Sequence, residues 1–252
     1  MEQEYAAVTV TDKAERALRG GHPWVFGDEV LSLSAPAENG ALVTVRSRKG
    51  RFLGTGFYNE HSKIRVRVLS RNANDRFDAD FWRRRLSYAL DYRQTVMGAD
   101  FFADCRLIFG EADQFPGLTV DRFGDVLVTQ TLSLGIEQRK ELLFPMLSEL
   151  LAQRGAPVRA IYERNDVAIR EKEGMTQYKA FYPAPGLETE LDGHVLITEN
   201  GITYDVDYIE GQKTGFFLDQ KFNRQAVARL AAGHRVLDCF THTGSFGLNA
   251  AK

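Results

Sequence analysis

The segment Val236-Leu-Asp-Cys-Phe-Thr-His-Thr-Gly-Ser-Phe246 constrains the fold more than any other stretch of this chain. Val236 to Phe240 is apolar except for Asp238, and Thr241 to Gly247 is small, polar and glycine-bearing. That order predicts a strand, a tight turn and the start of a helix, the opening unit of a nucleotide-binding α/β domain. Gly244 and Gly247 let the backbone approach a ligand closely, and a helix start offers free N–H groups. A carboxylate at Asp238 suits hydroxyl or amine donors and repels phosphate, which favours a nucleoside-type cofactor over a dinucleotide. The G-x-G-x-x-G fingerprint is missing, and an ordinary strand-turn-helix satisfies the same residues. One such unit cannot make a doubly wound sheet. The chain is therefore expected to be a truncated protein, with residues after about Gly233 loosely held and little affinity for a cofactor on its own.

Upstream, the first seventy-odd residues read as short strands. Ala41–Val45 and Phe52–Phe57 flank a Lys49-Gly50 turn. Lys63-Ile-Arg-Val-Arg-Val68 alternates, which predicts Ile64, Val66 and Val68 on one face and Lys63, Arg65 and Arg67 on the other. Net charge is −2, but it is unevenly spread. Between positions 46 and 71, Arg46, Arg48, Lys49, Arg51, Lys63, Arg65, Arg67 and Arg71 stand against Glu60 alone. A basic face of this kind, with Phe52, Phe57 and Tyr58 nearby, suits a polyanion. A solvated strand edge blunted against aggregation has the same look.

Asp78 or Asp80 can cap a helix to about Met97, closed by Gly98. The middle third reads as a small α+β unit. Leu118–Phe123 and Val126–Leu132 form a hairpin, a helix runs from about Glu137 to Arg154, and Ala160–Arg164 is a strand. Glu111, Asp113 and Asp121 read better as polar residues shaping that hairpin than as a metal or acid/base cluster. Asn200-Gly201 marks another hairpin, and Asp219 can cap a helix carrying Phe222, Ala226, Val227 and Leu230.

Four blocks together carry a resemblance. They are His22-Pro-Trp-Val-Phe26, Gly110-Glu-Ala-Asp-Gln-Phe-Pro-Gly-Leu-Thr-Val-Asp-Arg-Phe-Gly124, Arg164-Asn-Asp-Val-Ala-Ile-Arg-Glu-Lys-Glu-Gly-Met175, and Lys213-Thr-Gly-Phe-Phe-Leu-Asp-Gln220 with Asn223-Arg224 and the 238–246 turn. In this order they resemble the RlmI-type ribosomal RNA cytosine-5 methyltransferases along the whole chain. The resemblance implies an α+β multidomain protein. It would have an N-terminal PUA-like β-barrel for RNA (residues 1–75), a linker helix with a central small α+β domain (76–185), and the N-terminal part of a Rossmann-like α/β methyltransferase domain (186–252). It implies S-adenosyl-L-methionine as cofactor and 5-methylcytosine in 23S ribosomal RNA as product. Phe217, Gln220 and Arg224 would shape or bind the methionine end, and Asp238, Phe240, Thr243 and Gly244 the glycine-turn side. Arg46, Arg48, Arg51, Lys63, Arg65, Arg67 and Lys213 would meet RNA, with Lys213 able to serve the cofactor instead.

The same resemblance implies a catalytic cysteine and an Asp-Pro-Pro motif beyond Lys252, so no catalytic residue is assigned here. Cys239, in an apolar run, is expected to be a small core residue. Two cysteines, Cys105 and Cys239, make no disulfide framework and fit a cytoplasmic, reducing compartment. No metal motif and no membrane-length apolar run is present in the sequence, and a homodimer is compatible with it. A non-catalytic RNA-binding module is the competing reading. A nicotinamide enzyme is disfavoured by the missing dinucleotide fingerprint.

Overall fold

The computed structural model describes residues 5–98 and 102–252. Six strands make the first sheet: β1 (Ala7–Val10), β2 (Trp24–Phe26), β3 (Val30–Leu33), β4 (Leu42–Ser47), β5 (Phe52–Tyr58) and β6 (Ile64–Ser70). Their spatial order is β2-β6-β5-β4-β1-β3, and β1 and β4 are the parallel pair. Helix α1 (Asp12–Arg19) follows β1, its first turn capped by the Thr11 hydroxyl, which accepts the Ala14 N–H at 3.3 Å. Val8, Val10, Leu18, Val25, Val43, Val45 and Val66 fill the core of this module.

Helix α2 (Ala79–Met97) starts as its sequence dictates. The Asp78 carboxylate accepts the Phe81 N–H at 3.0 Å, and Gly98 ends the helix at φ 71°. The second sheet has β7 (Asp104–Phe109), β8 (Leu118–Phe123), β9 (Val126–Thr131), β10 (Ala160–Asn165) and β11 (Tyr178–Phe181), in order β11-β10-β9-β8-β7. β9 and β10 are parallel, joined by α3 (Leu134–Glu137) and α4 (Lys140–Gln153). The helix expected from about Glu137 to Arg154 forms as α4, and α3 precedes it as a separate turn, with Arg139 between them donating to the Gly135 and Gly40 carbonyls. A short α5 (Ile169–Lys172) precedes β11.

One side of the second sheet packs on α2 and α4. On the other, Phe123, Val126, Val128 and Tyr162 meet Ile197, Tyr204 and Val206 of a separate hairpin, β12 (His194–Glu199) and β13 (Ile202–Asp207). Asn200 and Gly201 both take positive φ at its tip, as a primed two-residue turn requires. Helices α6 (Lys221–Ala231) and α7 (Ser245–Ala251) follow.

The strand expected at Val236–Phe240 does not form. Among the described residues no other strand pairs with it, and a strand without a ladder leaves its N–H and C=O groups to water. Leu237 and Phe240 stand 86% and 103% exposed. Cys239 is exposed as well, so it is not the core residue that its apolar neighbours imply.

The first module and the middle domain share a core rather than a linker. Phe57 of β5 lies in the cluster built by α2 and the second sheet, stacked on Trp82 at 6.3 Å. A side chain on Gly135 would meet the Phe57 ring at 2.1 Å, so this close approach requires glycine.

Candidate functional site

A loop and a turn converge near the C-terminal end. The loop begins at Gly211, whose carbonyl accepts from Arg164 at 2.8 Å; the same guanidinium holds the Tyr208 carbonyl at 3.1 Å. Further on, Thr214 donates to Asp121 at 2.6 Å. Asp121 is fully buried and gripped by two bonds from Arg106, at 2.7 and 2.8 Å. Gly215 sits at φ 121°, where a Cβ would strike Val206 at 2.8 Å. The middle domain therefore fixes the backbone that presents Lys213 and Phe217.

The helix after this loop buries charge instead of hydrocarbon. Arg224 donates to Glu199 at 2.6 Å and to the Phe217 carbonyl at 2.9 Å, with its guanidinium 4.5 Å from the Phe216 ring centre. Burial pushes Glu199 above the ordinary carboxylate range, although Arg224 pulls the other way. Lys221 is buried too and donates to the Asp104 carbonyl at 2.9 Å; loss of solvent lowers its pKa. Phe222 and Leu230, carried on this helix as expected, are exposed, and Asp219 lies in a 3-10 turn without capping the helix. Arg224 thus shapes the site from below and does not reach into it.

The turn meets the loop through an aromatic contact, His242 edge-on to Phe217 at 5.1 Å. Asp238 accepts the Gly247 N–H at 3.0 Å, which holds the segment before the turn against the start of α7. Phe240, His242 and Gly244 all have positive φ. A Cβ on Gly244 would meet no atom within 4 Å, so the turn faces open space that a ligand can occupy. Phe217, Asp238, Thr243 and Gly244 are thereby brought to one region, with Gln220 half-exposed in the adjoining 3-10 turn and Phe240 wholly exposed. These residues offer ring faces, a carboxylate and open space beside Gly244, the groups a nucleoside-type cofactor calls for.

The basic residues of the first module split into two groups. Arg46, Arg48 and Arg51 cluster at the β4–β5 turn, where Arg51 meets Glu15 at 3.2 Å and Arg48 lies 3.8 Å from Asp12, all three arginines exposed. Lys63 and Arg65 begin β6 at the opposite end, since Tyr58 pairs with Val66 and Arg46 with Phe52. Lys63 is exposed, and Arg65 donates to the Glu60 carbonyl. Arg67 departs from the expected RNA face. Its side chain is only 9% exposed and bridges Glu111 at 3.0 Å and Glu173 at 2.9 Å. The alternation of β6 misleads here because the outer face of that strand is covered by the middle domain. Trp24 donates to the same Glu111 at 2.7 Å, and Asn59 to the Glu173 carbonyl at 2.8 Å, so the joint is fastened from several strands.

Glu111, Asp113 and Asp121 are not a metal or acid/base cluster. Each is spent on an arginine: Arg67, Arg93 and Arg106 respectively. Among the described residues no group of three or more His, Cys, Asp or Glu side chains is placed to hold a metal ion, and no helix is long and apolar enough to cross a membrane. Sequence reasoning missed Arg164, His242 and Glu199 as builders of the site. Arg164 and Thr214 lie within blocks the sequence already marks; Glu199 carries no signal of its own.

A six-stranded β module joined to an α+β domain and a terminal loop-and-helix unit sets the class of fold. Residues 8–71 match the PUA-like domain family, and residues 124–252 match the S-adenosylmethionine-dependent methyltransferase family. The chain belongs to the S-adenosylmethionine-dependent methyltransferases. It is 40% identical over 241 residues to ribosomal RNA large subunit methyltransferase I of Shewanella denitrificans, covering 94% of this chain and 58% of that protein. The protein of the same name from Pseudoalteromonas translucida is 37% identical over 247 residues, covering 98% and 60%. The chain thus spans less than two thirds of the length of these relatives. Among solved structures, an assigned S-adenosylmethionine-dependent methyltransferase from Streptococcus mutans superposes with TM-score 0.77 at 23% identity, covering 97% of this chain and 60% of that one. An assigned methyltransferase complexed with SAH matches at TM-score 0.78 and 22% identity, covering 97% and 59%. Likeness at that identity establishes the fold.

Proposed function

We propose that this chain is the RNA-binding and cofactor-entry part of a methyltransferase that forms 5-methylcytosine in large-subunit ribosomal RNA, working in the cytoplasm. The observation that supports it most is the joint itself. A PUA-like module is locked by Arg67, Glu111 and Glu173 onto a domain that, through Asp121, fixes the loop carrying Phe217. In this reading residues 1–75, 76–185 and 186–252 are the three functional units. Exposed Arg46, Arg48, Arg51, Lys63 and Lys213, with half-buried Arg65, attract RNA phosphates. Phe217, Gln220, Asp238, Phe240, Thr243 and Gly244 would hold S-adenosyl-L-methionine, which when bound supplies an electrophilic methyl group.

Neither cysteine of this chain serves as the nucleophile. Burial pushes the Cys105 thiol up to about 11, so it holds little thiolate at neutral pH. Cys239 lies in an irregular, unpaired segment before the glycine turn. The test is transfer of a labelled methyl group to ribosomal RNA by this chain, alone and extended to the length of its relatives. Labelled 5-methylcytosine from the extended protein supports the reading. Label on another base, or on no RNA, overturns it.

A further inference from the structure

A cleft of about 870 Å³ opens between the first module, the 70–75 connection, α2 and the 110–114 turn. None of the residues around the glycine turn lines it. Its size suits a small organic ligand or one to two nucleotides, and its charge decides which.

Three carboxylates face the cleft, and all are committed. Glu111 is held by Arg67 and Trp24, and Asp113 takes two bonds from Arg93, at 3.2 and 2.6 Å. Asp75 accepts from Ser70 at 2.5 Å and Asn72 at 3.0 Å, with Arg85 at 3.8 Å. Two lining cations are left without an acidic partner among the described residues. Arg71 donates only to the His22 carbonyl, at 3.2 Å, and Arg84 lies over the Phe81 ring at 5.9 Å. The cleft is therefore cationic where it is open. Tyr88 stands four residues after Arg84 on α2, so the two share a helix face, and its ring is 62% exposed. Gln114, exposed, lines the same cleft from the 110–114 turn, its side-chain amide bonded to no described group. Unpaired guanidinium groups, an open ring and a free amide match a phosphate, a base face and a base edge.

We propose that this cleft seats an unpaired nucleotide of single-stranded RNA. Arg71 and Arg84 take the flanking phosphates, Tyr88 stacks on the base, and Gln114 meets its polar edge. The proposal rests on the RNA-binding reading above and gives it a further contact zone, one that Arg46, Arg48, Arg51, Lys63 and Arg65 do not line.

The test titrates this chain into a fluorescent twelve-nucleotide single-stranded RNA of mixed sequence, and into the same strand carrying 2-aminopurine. The variants are Tyr88→Ala, Tyr88→Phe and Arg71→Ala with Arg84→Ala, all at exposed side chains, with folding checked by melting. We expect Tyr88→Ala to weaken binding by about five-fold or more and to abolish the 2-aminopurine quench, while Tyr88→Phe keeps both. The double arginine variant should flatten the log-affinity against log-salt slope by about 1.4, two phosphates' worth on a single strand. Wild-type binding with unchanged affinity, quench and slope in every variant overturns the cleft assignment and leaves RNA binding standing. No RNA binding by the wild type overturns both. Equal affinity for polyglutamate, with the same dependence on Tyr88, overturns the choice of a nucleotide as ligand.

Discussion

The Thr214 hydroxyl donates to Asp121 at 2.6 Å, across 93 residues of sequence and between two domains. Asp121 is already neutralised by Arg106, so the bond adds placement more than charge balance. Thr214→Val keeps the shape and removes the donor. We expect a loss of about 1.5–3 kcal/mol in unfolding free energy, the range for a hydrogen bond to a charged group. Amide exchange at residues 211–217 should quicken beyond the global change. Unaltered exchange in this loop would show that the middle domain does not hold it.

Arg67 separates the joint from the RNA face. Arg67→Ala leaves the buried Glu173 carboxylate without its cation, while half-buried Glu111 keeps Trp24, so it should cost about 3–5 kcal/mol in stability. Lys63→Ala with Arg65→Ala should cost about 0.5–1.5 kcal/mol, the worth of the Arg65 bond to the Glu60 carbonyl, and flatten the salt dependence of RNA binding by about 0.7–0.9 for each phosphate no longer neutralised. An unchanged salt slope in the double variant would remove this end of β6 from the interface.

Much of the architecture was legible because local signals agree with the tertiary result. Asp78 and Gly98 bracket α2, Asn200-Gly201 turns the β12–β13 hairpin, and alternation marks β6 as a strand. What was illegible depends on neighbours. Arg67 reads as a surface cation because nothing in β6 announces that its second face is covered. Lys221 and Arg224 are buried because Asp104 and Glu199, far away in sequence, receive them. Val236–Phe240 has a strand's composition, but backbone pairing needs a partner strand, and none of the described ones lies beside it. Of the residues the resemblance gives to the cofactor, Phe217 touches the glycine turn through His242, while Arg224 is buried and bonded to the Phe217 carbonyl.

The two thiols should differ sharply in reactivity. Cys105 is buried and its pKa is raised to about 11 by desolvation, whereas Cys239 is exposed. Iodoacetamide on the native chain at pH 8, read by peptide mass spectrometry, should label Cys239 and spare Cys105 until denaturant is added. Early labelling of Cys105 would show that the second sheet opens readily.

Acid should loosen the contact between α3 and α5. Burial works to raise Glu137, but hydrogen bonds from Lys140 and Arg170 outweigh it, and its pKa is lowered below the carboxylate norm. A carboxylate with a depressed folded pKa contributes stability that is complete above its unfolded value, near 4.5, and is lost as pH falls through the folded one. Glu137→Gln should remove that contribution at pH 7 and weaken the acid-side loss. Denaturant unfolding at pH 7, 4.5 and 3.5 checks this, with the two proteins expected to converge at the lowest pH. A constant gap at all three would mean that packing, not charge, is what Glu137 contributes.

Gly244 occupies φ 70° with open space beside it, so backbone geometry selects glycine there more than any clash within the chain. A β-branched residue resists that conformation most, because its Cβ crowds the following carbonyl, at a cost of about 1–2 kcal/mol. Gly244→Val should therefore redirect the turn, part His242 from Phe217 and fill the open space beside the turn. In a protein extended to its relatives' length, S-adenosylmethionine binding by calorimetry should disappear. The melting of the first two domains should stay unchanged, since their cores lie elsewhere. Gly244→Asn, which tolerates a left-handed backbone, should recover part of the turn and lose affinity only where its side chain meets the cofactor. Wild-type affinity in the valine variant would remove this turn from the cofactor site.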